Sequence, residues 1–231
     1  MPEQYTYLLV DICCIIFPLL FSFYPKFHFY SQWRYFLGPC LFTALFFSVW
    51  DILFTRMGVW SFNSQFIAGA YLFGLPAEEY LFFICIPYAC TFTYYCLTRY
   101  FTLSTTKVVR IFTIVMASLL ALIAFMNVAR LYTSVTFLLL SVFLLFLVAK
   151  KVQFLAAFYV AFLLILIPFF ISNGILTGGI IHRTVVLYNN NRNLGIRMFT
   201  IPVEDTFYGM LLLLMNISGF EYNRQKGVLK P

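Results

Sequence analysis

Charge is what this chain has least of. Only 10% of its 231 residues are Asp, Glu, Lys or Arg, against about 25% in a soluble domain. Hydrophobic residues make up 63%, and the mean hydropathy is +0.92. A soluble globular domain is excluded, and the chain reads as an integral membrane protein. Further absences narrow the chemistry. There is no Gly-x-Gly-x-x-Gly and no βαβ unit to carry one, which excludes a Rossmann-bound flavin or nicotinamide. No paired Asp-rich run of the kind that holds Mg²⁺ in membrane prenyltransferases is present. His28 and His182 have no carboxylate at ligand spacing and read as solvated or capping residues. Cys13, Cys14, Cys40, Cys85, Cys90 and Cys96 all lie in apolar runs without metal-type spacing and read as small packing residues. No metal site and no cofactor is expected. The first apolar run lacks a basic leader and a small-residue cleavage site, so it is expected to be a membrane helix rather than a removable signal.

The net charge of +7 does not suggest nucleic acid, because the basic residues sit in short connections between apolar segments. Those segments span roughly 5–25, 34–54, 71–98, 108–127, 131–149, 152–172 and 194–216. The expected architecture is all-α, a polytopic membrane protein of about seven transmembrane helices. Two connections, 55–70 and 173–193, are long and polar. Ten basic residues fall on one side (Lys26, Arg34, Arg99, Lys107, Arg110, Lys150, Lys151, Arg224, Lys226, Lys230) and five on the other (Arg56, Arg130, Arg183, Arg192, Arg197). The positive-inside rule places the ten in the cytoplasm, with the N-terminus outside, the C-terminus inside and both long loops outside. The expected setting is the cytoplasmic membrane.

The few acids are not scattered. Glu78 and Glu79 lie side by side in an otherwise uncharged run from Tyr71 to Leu97, and Glu204 and Asp205 recur within another apolar run. Even one carboxylate inside a membrane costs about 2.5–3.5 kcal/mol on insertion scales, so a doubled pair calls for a purpose. Pro76-x-Glu78-Glu79 and Pro202-x-Glu204-Asp205 are 126 residues apart. Upstream, Asp51-Ile52-Leu53 and Asn173-Gly174-Ile175-Leu176 each end a segment and each lead to a Thr. The chain therefore reads as a single membrane domain over 1–231 with a parallel 3+1+3 internal repeat. Repeat 1 covers about 5–100, a connector helix about 108–127, repeat 2 about 131–216, and a basic cytoplasmic tail 217–231. The copies are then related by an axis along the membrane normal. Counting from the segment starts puts both acid pairs roughly 10–15 Å below the outer surface at 1.5 Å per residue.

A carboxyl in an apolar cavity beside a second carboxyl can hold a proton at neutral pH and deliver it to a weak base. The competing reading is that the acids only neutralise arginines: Arg197 lies two turns before Glu204, and Arg56 and Arg183 sit in the long loops. Arginine pairing alone does not require doubled acids in both copies. The thirty Phe and sixteen Tyr suit lipid-facing bulk and interfacial belts, and some suit an aromatic cavity for a cation or a polyene.

Taken as a set, Trp50-Asp51, Gly58-x-Trp60-x-Phe62, Pro76-Ala77-Glu78-Glu79-x-x-Phe82, Asn173-x-x-Leu176-Thr177, Gly195-Ile196-Arg197 and Pro202-x-Glu204-Asp205-x-x-Tyr208 resemble the heterodimer-type lycopene cyclases of carotenoid synthesis. That group includes two-subunit bacterial enzymes, single-chain fusions and the cyclase half of fungal bifunctional enzymes. The resemblance runs over most of the chain and implies the single-chain form, each half matching one subunit. It implies conversion of the linear ψ end groups of lycopene, or a similar carotenoid, to β-rings. That reaction is redox-neutral and needs a strong acid, a nearby base, a dry cavity and aromatic faces for a cation.

On this basis Glu78 or Glu204 is the expected acid, with Glu79 and Asp205 maintaining its proton and Asp51 orienting or relaying it. Trp50, Trp60, Phe82 and Tyr208 are expected to stabilise the cation, with Asn173 and Arg197 in support. The rivals are a cyclase of another terpenoid and a proton-coupled small-solute transporter. The transporter calls for polar groups near mid-membrane in both copies, whereas here they crowd one side. A seven-helix retinal protein is excluded, because residues 194–216 hold no Lys for a Schiff base.

Overall fold

The computed structural model describes residues 3–179 and 184–228. Seven α-helices make up most of these: α1 (Thr6–Ser22), α2 (Trp33–Arg56), α3 (Ala77–Tyr100), α4 (Lys107–Met126), α5 (Leu131–Ala149), α6 (Leu155–Leu176) and α7 (Val203–Val228). The all-α membrane architecture is as the apolar runs predict. Six helices, α1 to α6, are long and apolar enough to cross a membrane. The six do not include α7, where Glu204, Asp205 and Asn216 dilute the apolar stretch.

Helix α7 lies at the centre, packed against α2 and α5, while α3 packs against α1, α2 and α6. Helix α4 packs on α5 at the periphery. The α2–α7 seam depends on a missing side chain. A Cβ on Gly219 would lie 2.7 Å from Cβ of Pro39, so glycine there lets the two backbones close up. Buried residues on the facing sides are mostly Phe, Leu and Tyr, whereas Leu41, Phe42 and Leu45 of α2 point outward, as a lipid-facing surface requires.

Three pairs of short strands tie the connections together. Strand β1 (Trp60–Phe62) in the first long loop pairs antiparallel with β4 (Val186–Tyr188) in the second, bringing Trp60 opposite Tyr188. Strands β2 (Tyr71–Leu72) and β3 (Leu75–Pro76) form a hairpin with Phe73 and Gly74 at its tip. Both tip residues have positive φ, 53° and 86°, the pattern of a type I′ turn. Strands β5 (Arg197–Met198) and β6 (Ile201–Pro202) form a matching hairpin, with Phe199 at its tip at φ 58°.

These hairpins correct the sequence reading at two places. The apolar runs predict helix from 71 and from 194, yet α3 begins at Ala77 and α7 at Val203. The cause is local. Pro76 and Pro202 push Leu75 and Ile201 into extended backbone, and Ala77 N–H turns back to Ala70 O as Val203 N–H does to Ile196 O, at 2.9 and 3.0 Å. The acid pairs therefore sit in the first turn of each helix rather than two turns inside it, and the depth counted from 71 and 194 does not hold. At the other end, α7 continues through residues 217–228, read from sequence as a tail. Basic residues end an apolar run without ending a helix, and Arg224 pairs with Glu221 one turn back at 3.0 Å.

Candidate active site

Adjacent residues on a helix point about 100° apart, so the two members of each acid pair cannot face the same way. The first member of each pair turns to the loop that precedes it. Glu78 Oε1 accepts the Ala68 backbone N–H, and Glu204 Oε1 accepts the Leu194 N–H, both at 2.7 Å. Glu204 Oε1 also accepts the Thr133 hydroxyl at 2.5 Å. Each ties the chain ten residues upstream to a helix N-terminus, where the helix dipole favours negative charge. Both are buried.

The second members face inward, where they meet Asp51. Glu79 Oε2 accepts the Tyr7 phenol at 2.5 Å, and Asp51 lines the same cavity. Asp51 Oδ1 accepts the Tyr208 phenol at 2.6 Å. Asp205 is held differently: Oδ1 accepts the Tyr132 phenol at 2.7 Å and Oδ2 the Tyr188 phenol at 2.8 Å. Two donors on its two oxygens are the environment of a carboxylate anion. Burial, with Asp205 alongside, pushes the Tyr188 phenol well above its ordinary value, which keeps it a donor.

Asp51, Glu79 and Asp205 line one cavity of about 630 Å³. Its wall near the acids is aromatic. The rings of Trp60 and Tyr132 lie 5.1 Å apart edge to face, Tyr132 stacks on Tyr188 at 6.1 Å, and Tyr208 closes against both Trp60 and Tyr132. The β1–β4 pairing is what holds Trp60 and Tyr188 over the acids.

Among the residues singled out from sequence, Asp51, Glu79, Asp205, Trp60, Phe82, Tyr208 and Asn173 line the cavity. Glu78 and Glu204 do not. Trp50 stands one layer back, stacked on Phe47 at 5.5 Å and edge-on to Tyr208 at 5.2 Å. Arg197 serves its own hairpin: its guanidinium donates to Thr200 O at 2.6 Å and Asn190 Oδ1 at 2.9 Å, and sits over the Tyr188 ring. His182 and Arg183 lie outside the described residues.

Sequence reasoning missed Tyr7, Tyr132 and Tyr188, which supply the phenol donors to Glu79 and Asp205. It also missed Asp11, one turn beyond Tyr7 on α1, fully buried with no hydrogen-bond partner on either oxygen among the described residues. The signal for Asp11 was present, a lone acid inside the first apolar run. The tyrosines, three among sixteen, carry no such mark.

Fold and site together define a membrane protein with a buried carboxyl cluster at the end of an apolar, aromatic-walled cavity. The lycopene cyclase family model matches the chain twice, over residues 4–97 and 129–223, and the chain belongs to that family. It is a carotenoid cyclase, an enzyme whose substrate is a carotenoid. No curated protein and no solved structure matches it. Each matched segment holds one acid pair and the hairpin before it.

Proposed function

We propose that the chain closes the linear ψ end groups of lycopene into β-rings, with the Asp51–Glu79 pair as acid and Asp205 as base. The observation that carries this reading is the unequal hydrogen bonding of the cavity carboxyls. Asp51 and Glu79 each accept one phenol, from Tyr208 and Tyr7, whereas Asp205 accepts two; in this reading the first two hold a proton between them and Asp205 is the anion.

The shared proton adds to C2 of the terminal C1=C2 bond, leaving a tertiary cation at C1. The C5=C6 bond attacks C1, the C1–C6 bond forms, and the charge moves to C5. Loss of the C6 proton to Asp205 regenerates C5=C6 within the ring. One proton enters and one leaves, no electrons are exchanged, and the product is an isomer of the substrate. The aromatic wall of Trp60, Tyr132, Tyr188 and Tyr208 faces the migrating charge, each cation–π contact being worth about 2 kcal/mol or more when desolvated. Return of the proton from Asp205 to the pair resets the site, and the phenols of Tyr132 and Tyr208, whose rings touch, bridge the two centres.

Glu78 and Glu204 are positioning residues in this scheme. They hold the loops that carry the aromatic wall, and the doubled acid divides into one structural and one chemical carboxyl in each half. The asymmetry of basic residues supports an orientation with the carboxyl layer toward the outer face.

The test is isotopic. Membranes containing the chain, incubated with lycopene in deuterated water, should yield γ-carotene and then β-carotene with one deuterium per ring at the former C2. Ring closure without deuterium at that carbon contradicts proton-initiated cyclisation, and a failure to form rings contradicts the substrate assignment.

A further inference from the structure

The cavity does not end at the carboxyls. On α3 its wall descends from Glu79 to Thr93, on α1 from Thr6 to Pro18, and on α6 from Leu176 to Phe162. At 1.5 Å per residue each of these stretches is on the order of 20 Å long. All polar chemistry is gathered at one end. Along the α3 stripe below Glu79 the wall is Phe82, Ile86, Ala89, Cys90 and Thr93, and the Thr93 hydroxyl is already spent on Ala89 O at 3.0 Å.

One side of this trough is open. Helix α1 packs closely along α3 but meets α6 only sparsely. The rim between them carries Cys13 and Phe17 from α1 and Pro168 and Ile171 from α6, all exposed, Phe17 at 66%. In a membrane-spanning chain an exposed apolar rim faces lipid.

We propose that the trough between α1, α3 and α6 is the binding track for the polyene chain of the substrate, entered sideways from the bilayer between α1 and α6. The proposal rests on the carotenoid reading above. The track matches an apolar, rod-like chain whose reactive end alone meets polar groups. Its length is about two thirds of the roughly 30 Å hydrocarbon core. A C40 chain, longer than that core, reaches the carboxyls with one end while its other half remains at the rim or in lipid. Each binding event therefore closes one ring, and a second ring requires release and re-entry with the other end first.

The experiment uses the full chain reconstituted in lipid vesicles with lycopene, reading both pigment conversion and the circular dichroism that a chiral groove induces in the visible band of a bound polyene. Ala89→Trp fills the track about 15 Å from Glu79 while leaving the carboxyl end alone. Ile86→Trp, one turn nearer on the same stripe, is the second variant, so that a folding defect at Ala89 does not decide the matter. Leu41→Trp, on the lipid face of α2, is the control.

The track predicts at least a tenfold loss of lycopene conversion and loss of induced dichroism in a folded Ala89→Trp or Ile86→Trp protein. Leu41→Trp should keep both, and Glu79→Gln should keep the dichroism without conversion. An Ala89→Trp or Ile86→Trp protein that folds and retains both signals overturns the proposal. If the wild type converts nothing, the cyclase reading fails on its own. Dichroism that then survives in Glu79→Gln and disappears in Ala89→Trp still marks the track.

Discussion

Tyr208 of α7 donates its phenol proton to Asp51 of α2 at 2.6 Å, a bond that joins the two halves of the chain across 157 residues. Asp51 lines the same cavity as Glu79. The proposed proton-holding pair thus takes a hydrogen bond from a residue far along the chain. Tyr208→Phe removes that bond and keeps the ring. A hydrogen bond to a charged group is worth about 1.5–3 kcal/mol, and each 1.36 kcal/mol is tenfold in rate. The turnover of Tyr208→Phe should fall between roughly tenfold and a hundredfold, with KM little changed because the ring still lines the cavity. A drop confined to KM contradicts the role.

Asp205→Asn leaves the acid pair intact and removes the base. The cation at C5 still forms, but its C6 proton no longer has a carboxylate to receive it. Turnover should fall by about 10² or more, the low end of acid–base contributions. Part of the remaining product should be ring isomers formed by proton loss from a carbon other than C6. Chromatography of the residual pigment checks this, and an unchanged rate of β-ring formation contradicts it.

The α2–α7 seam makes a prediction about stability alone. A Cβ at position 219 lies 2.7 Å from Pro39 Cβ and 2.9 Å from its Cγ, and overpacking of this kind costs about 1–3 kcal/mol. Gly219→Ala should lower the thermal midpoint in detergent while leaving turnover at moderate temperature near that of the wild type, since the site lies toward the other end of both helices.

Much of this arrangement is legible in the sequence, for identifiable reasons. Apolar runs of twenty residues announce helices because lipid admits little else, and acids inside such runs announce themselves by their cost. The recurrence of the motif is visible because Pro76 and Pro202 stand in the same place before each acid pair. The two hairpins are not visible: strands of two residues built from Tyr, Leu, Met and Ile look like the start of the next helix, and only Gly74 and the prolines argue otherwise. The same error hides which way each acid faces. Once α3 is known to begin at Ala77, Glu78 must face the loop and Glu79 the cavity, because neighbours on a helix cannot share a direction. The partners of the inward acids come from far along the chain, Tyr7 on α1 and Tyr188 on β4. Their identity depends on how α1 lies on α3 and how β1 pairs with β4, which no local pattern encodes.

The assignment of Glu79, rather than Glu78, to the chemistry is tested most directly by expressing Glu79→Gln and Glu78→Gln side by side in lycopene-accumulating bacteria. Pigments are then separated with the membrane content of each protein matched. A glutamine at 78 can still accept the Ala68 N–H through its carbonyl oxygen, so Glu78→Gln should form cyclic carotenoids at a rate within a few-fold of the wild type. Glu79→Gln cannot share a proton with Asp51 in the same way, and its cells should retain lycopene with cyclisation down about 10² or more. The reverse pattern, cyclic product with Glu79→Gln and lycopene with Glu78→Gln, contradicts the account.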